Sequence, residues 1–220
     1  MSVPLVVVGA GGFGREVLDV IEAINRDLSR PKFLLLGVVD SAPSSANLAC
    51  LSARGTPYLG TEDAWLRGGN FADFVIGVGE PSIRSAIADR WNETGRKSPI
   101  LLHPDAGVGS CTSIAPGTVV CAGAQISTNV ELGAHSHVNP NATVGHDSVL
   151  EAYVSVNPGA IVSGDVYIGA VSLIGAGAVV LQGRRVGRNC VIGASACVTR
   201  DVPFNSTVIG VPARQVGSTQ

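Results

Sequence analysis

Of the four histidines in this 220-residue chain, His146 alone is followed directly by a carboxylate, Asp147. A neutral imidazole takes up a proton near neutral pH, and an adjoining carboxylate orients the ring and polarises it. The pair suits deprotonation of an amine or hydroxyl, and it equally fits a solvated surface pair. His135 and His137 stand nearby, and three histidines together raise the question of a zinc site. Their places in the repeat described below send the three in different directions, so no metal is expected. A second group of residues lies near the start. Gly9-Ala10-Gly11-Gly12-Phe13-Gly14 follows one apolar run, and Asp40 closes the next. Glycines let a phosphate approach the backbone at the positive end of a helix, and an acid ending the second strand can hold a ribose hydroxyl. This reads as a nucleotide site, with a purely structural turn as the alternative.

These residues need elements to position them. Residues 5–8 read as a buried parallel strand, 15–25 carry helical apolar spacing through Val17, Val20, Ile21 and Ile24, and 33–39 form a second strand. A further strand is expected before Tyr58 and another over 74–78. A helix over 82–94 should bury Ile83, Ile87 and Trp91. Residues 1–103 thus form a Rossmann-like α/β domain, too short for the full six-stranded dinucleotide fold.

The rest of the chain is organised by a repeat. Every sixth residue from Val108 to Val198 is Ile, Leu or Val, sixteen in succession. Two residues before each there is usually a small side chain, such as Ala124, Ser136, Ala142, Ser148 or Ala178, and directly after it often Gly or Asn, such as Gly145 or Asn157. Residues two apart on a strand point the same way, so the small and branched side chains share the interior. The Gly and Asn are expected to supply the backbone angles of tight corners. Three hexads to a turn make a triangular parallel β-helix over 104–199, in which residues eighteen apart stack at about 4.8 Å. His146, two after Val144, then points outward at a corner, with Gly164 one coil above it. A corner glycine exposes backbone N–H, which suits an oxyanion, or it serves the corner alone. Residues 200–220, with prolines that cannot extend a ladder, should cap the open end.

Composition narrows the function classes. Charged residues make up 15% of the chain, against about 25% in an average protein. A net charge of −2 without a basic cluster argues against nucleic acid. No stretch has transmembrane length, and no signal peptide is read. Cys50, Cys111, Cys121, Cys190 and Cys197 form no CxxC pair, so reduced thiols and a cytoplasmic location are expected.

The six-residue repeat resembles the hexapeptide-repeat acyltransferases and their left-handed β-helix. With the Gly9–Glu16 loop, Gly37-Val38-Val39-Asp40, Leu59-Gly60-Thr61, Ile76-Gly77-Val78-Gly79 and the His103-Pro104 junction, the whole chain resembles the sialic-acid-type and bacillosamine-type sugar acyltransferases. The resemblance implies acetyl-CoA as acyl donor and a nucleotide-linked amino sugar as acceptor, bound through Gly9, Gly11, Gly12, Gly14 and Asp40. It implies His146 as general base with Asp147, Gly164 against the acetyl group, and CoA along Gly164, Ala176, Gly193 and Ala194. A homotrimer is implied as well. Some relatives carry a second histidine where Ser155 stands, and His137 lies one coil below that position. A hydroxyl acceptor, or a non-catalytic nucleotide-sugar scaffold, are the competing readings. Ser41 follows Asp40 where many relatives have a second acid, which leaves the sugar and base open.

Overall fold

The computed structural model describes residues 2–218. Three parallel strands, β1 (Val3–Val8), β2 (Phe33–Val39) and β3 (Asp73–Ile76), form a sheet in the order β2-β1-β3. Four helices accompany them: α1 (Gly12–Asp27), α2 (Ser45–Ala53), α3 (Glu62–Arg67) and α4 (Pro81–Asn92). Strand β1 is apolar at consecutive positions because both faces of the sheet are covered. Leu5 and Val7 pack with Val17, Leu18 and Ile21 of α1, whereas Val6 and Val8 pack with Trp65 and Trp91 on the other side.

Two local expectations need correction. No strand precedes Tyr58. Helix α2 occupies that stretch, started by Ser44, whose hydroxyl accepts from Asn47 N–H, and Tyr58 touches the sheet only through a single bridge to Val38. In α4, Ile83 is 53% exposed, while Arg84 beside it is wholly buried. A charged side chain took the inward place because backbone carbonyls there await a donor.

From Leu101 onward the chain winds into a parallel β-helix with three sheets. The first face carries Leu101–Leu102, Val119–Val120, His137–Val138, Ser155–Val156, Leu173–Ile174 and Val191–Ile192. The second runs from Gly107–Val108 to Cys197–Val198, and the third from Ser113–Ile114 to Arg185–Val186. Partners are eighteen residues apart throughout, as in His137 with Ser155 and Thr143 with Ile161. The interior is the stack of Ile, Leu and Val picked out by the repeat, narrowed by Ala124, Ala142, Ala160 and Ala178. Burying each large member contributes roughly 1.5–3 kcal/mol. The small inward hydroxyls are satisfied as well: Ser136, Ser148 and Ser172 donate to carbonyls of Glu151, Ser163 and Gly187.

The corners are built differently from the expectation. Left-handed backbone falls two residues after the Gly or Asn positions, on Asn129, His135, Asn141, Asp147, Tyr153 and Asp165 among others. The glycine next to the inward residue instead permits close stacking. A Cβ on Gly145 would lie 2.5 Å from the backbone nitrogen of Gly164 in the coil above.

The C-terminal segment also departs from a simple plug. Ser206–Ile209 adds a parallel strand to the first face beside Val191–Ile192, and Arg214–Ser218 returns antiparallel to it. Pro203 and Pro212 lie outside both strands, so the ladder continues between them. All five cysteines are free. Among the described residues, no helix is long and apolar enough to cross a membrane.

Candidate active site

His146 projects from the edge between the second and third faces, after strand Thr143–Val144 and before Val149–Leu150. Its Nδ1 lies 2.7 Å from Asp147 Oδ2, and the two side chains are 61% and 50% exposed. An ionised carboxylate only accepts, so this contact places the ring proton on Nδ1 and leaves the Nε2 lone pair free to take another. Asp147 is stabilised in its charged form first by the Asn129 amide and then by His146, which holds its carboxyl below the usual range.

Gly164 sits directly over this ring. A Cβ there would be 2.5 Å from His146 Nε2 and 2.6 Å from Cε1, so only glycine leaves space for the imidazole where it lies. The Gly164 N–H has no hydrogen-bond partner among the described residues. That freedom belongs to the corner position, since Ala176 and Ala194 N–H are unpaired in the same way. Ala176 and Ala194 stack on the previous edge, between the first and second faces, and do not share the His146 corner. Gly193 lies beneath Ile209 of the C-terminal strand, whose Cγ2 would be 2.7 Å from an added Cβ.

At the start of α1 the four loop glycines divide into two pairs. Gly9 and Gly14 are required by packing, since a Cβ on Gly14 would overlap the Gly9 carbonyl oxygen at 1.9 Å. Gly11 and Gly12 have nothing within 4 Å of an added Cβ and face open space. The N–H groups of Gly11 and Gly12 have no hydrogen-bond partner among the described residues, as is usual where a helix begins. Asp40 closes β2 as anticipated, but its carboxylate is engaged by the chain: Oδ2 accepts from Ala10 N–H at 2.8 Å and Oδ1 from Ala42 N–H at 2.9 Å. It holds the loop in shape. Arg15, which sequence reasoning passed over, reaches back to the Ala10 carbonyl and to Asn47 Oδ1.

The α/β domain rests on the first face of the β-helix. Leu101, Val119 and Cys121 share a core with α1, and the Phe13 ring lies 4.4 Å from that of His137. Arg84 is the central tie. Its guanidinium donates to the carbonyls of Val78 and Gly79 in its own domain and to His135 O, Tyr153 O and Ser155 Oγ of the β-helix, at 2.8–2.9 Å. Burial pulls it down to about 9, still high enough to stay charged at neutral pH. His135 stacks on Tyr153, and burial, then Arg84, lowers it to about 4. His137 is buried and pushed well below an ordinary imidazole for the same reasons. Ser155 and His137 therefore belong to the domain junction, and His137 does not stand in for a second histidine beside His146. The three histidines do not converge.

In a triangular coil, the edge between the second and third faces lies opposite the first face. The glycine loop and His146 consequently sit on opposite sides of one chain.

Comparison with known proteins gives the context for this arrangement. Residues 4–91 match the PglD N-terminal domain family. No curated protein sequence matches. Among solved structures, the acetyltransferase domain of PglB from Neisseria gonorrhoeae FA1090 is 34% identical, covering 97% of this chain and 99% of that one with a TM-score of 0.84. PerB from Caulobacter crescentus, solved with CoA and GDP-perosamine, is 26% identical over 97% of each chain with a TM-score of 0.86. WeeI from Acinetobacter baumannii AYE is 25% identical, over 96% and 99% of the chains, with a TM-score of 0.82. The chain belongs to the hexapeptide-repeat sugar acetyltransferases that carry a PglD N-terminal domain, and it is an acetyl-CoA-dependent acyltransferase.

Proposed function

We propose that the acceptor is the amino group of a nucleotide-linked amino sugar and that His146 is the general base. The observation that carries this is the 2.7 Å contact of His146 Nδ1 with Asp147, which in the neutral ring leaves the Nε2 lone pair open at an exposed corner beneath Gly164. The neutral amine attacks the thioester carbonyl carbon of acetyl-CoA, and the carbonyl π pair moves onto oxygen, which accepts a hydrogen bond from the Gly164 N–H. His146 Nε2 takes the proton from the attacking nitrogen. Collapse of the intermediate breaks the C–S bond, and the imidazolium returns its proton to the departing thiolate, giving amide and free CoA with no covalent acyl-enzyme. PerB, an enzyme of the same architecture, was solved with GDP-perosamine, which supports a nucleotide amino sugar as acceptor here.

The open N–H groups around Gly11 and Gly12 suit the diphosphate of that substrate. Because they lie across the β-helix from His146, the reading requires the loop of one protomer to serve the histidine of another, and a homotrimer meets that need. Ala176, Gly193 and Ala194 remain the proposed path of CoA along the neighbouring edge. The test is incubation with acetyl-CoA and UDP-, GDP- and dTDP-linked amino sugars, with product detected by mass. One rapidly acetylated member establishes reaction and nucleotide together; acetylation of sugar hydroxyls alone overturns the amine reading. His146→Ala should lower turnover about 10²-fold or more.

A further inference from the structure

The Asn129 side-chain amide donates to Asp147 Oδ1 at 2.6 Å, while Asp147 Oδ2 meets His146 Nδ1 at 2.7 Å. Building on the reading of His146 as general base, we propose that Asn129 is a positioning residue for acyl transfer, locking the Asp147 carboxylate so that His146 Nε2 stays free and aimed at the acceptor.

Asp147 is half exposed and stands on a corner, where its carboxylate would otherwise turn toward water. Binding one oxygen from below fixes that rotation and leaves the other oxygen for the ring. Asn129 comes from the coil beneath, at the same corner position: its φ is 58° and that of Asp147 is 60°. The stacking of the β-helix therefore aligns the two side chains. A neutral amide also orients the carboxylate without cancelling the charge that polarises the imidazole, as a lysine would. Three other side-chain rungs of the solenoid pair neutral groups, Ser110 with Thr128, Asn139 with Asn157 and Asn189 with Asn205, and one runs from the Tyr167 hydroxyl to the Glu151 carboxylate. The Asn129 rung differs in ending on an ionised group that itself holds a histidine. The lowered proton affinity of Asp147, for which Asn129 is the foremost cause, agrees with this.

The experiment uses the full-length protein and three variants: N129G, N129D and H146Q. Glycine and aspartate both accept left-handed backbone, so both keep the corner while removing the donor. N129G should lower kcat about tenfold, the scale of one hydrogen bond to a charged group, with KM for acetyl-CoA and nucleotide sugar changed by less than about twofold. N129D should move the acid limb of kcat/KM upward by roughly half a pH unit to one unit, because a second carboxylate raises the proton affinity of the pair and of His146. Melting temperatures of both should stay near that of the unaltered protein. Unchanged kcat and pH profile in N129G and N129D, with H146Q inactive, overturn the role of Asn129 alone. A change confined to KM does the same. Full turnover in H146Q overturns the general-base reading instead. If N129G does not fold, the acid limb of N129D decides.

Discussion

Replacing Gly164 by alanine isolates the position of the His146 ring from everything else at the corner. The new methyl would lie 2.5 Å from Nε2, 2.6 Å from Cε1 and 3.0 Å from Cδ2. Ordinary contact is near 3.5 Å, so the ring must retreat by about 1 Å. It can do so easily, because its side chain is 61% exposed and no core residue holds it. Gly164 does not use left-handed backbone, so alanine adds no strain, and the fold should lose less than about 1 kcal/mol. Activity should not survive so well. A displacement of about 1 Å at the reacting group costs on the order of 10² in rate, equivalent to about 2.7 kcal/mol of barrier. The assay is thiol release from acetyl-CoA at saturating nucleotide amino sugar, run beside a melting curve. A folded Gly164→Ala enzyme with kcat within about threefold of the original would refute the reasoning, since it would show that the ring does not work from where the structure puts it. Gly145→Ala is the contrasting control. Its methyl meets the backbone nitrogen of Gly164 at 2.5 Å, which cannot swing aside, so stability should fall by about 1–3 kcal/mol in chemical denaturation.

Three further outcomes follow from the same geometry. Gly12→Ala, with open space around the new methyl, should melt normally yet raise KM for the nucleotide sugar several-fold, whereas Gly14→Ala, driven against the Gly9 carbonyl, should fail to accumulate as folded protein. Arg84→Met should cost about 3–5 kcal/mol in urea titration, because several buried carbonyls and Ser155 lose their donor together. The buried His135, lowered to about 4, makes stability pH-dependent in a definite direction. Above about pH 6.5 neither folded nor unfolded chain protonates this ring; below it the unfolded chain binds the proton more readily, so stability falls as pH drops toward 4, by up to roughly 3 kcal/mol from this group. Equal denaturation midpoints at pH 7.5 and pH 5 would contradict that assignment.

By itself the sequence determined the β-helix, because a solenoid repeats one local solution: each inward Val, Ile or Leu meets its counterpart eighteen residues away, and the hexad prints this arrangement directly into the chain. It also determined His146 and Asp147 as neighbours, and the glycine loop between a strand and α1, since adjacency in the chain already implies adjacency in space. Tertiary structure alone decided what depends on contacts distant in sequence. Which corner glycines serve stacking and which make room for the imidazole emerged only when consecutive coils were superposed. No sequence pattern singled out Arg84, whose partners at Tyr153 and Ser155 lie about seventy residues away, and the bond by which the Asp40 carboxylate holds Ala10 N–H spans thirty residues. The placement of the α/β domain on the face opposite His146 was equally invisible, because no periodicity in either domain encodes the surface on which the two meet.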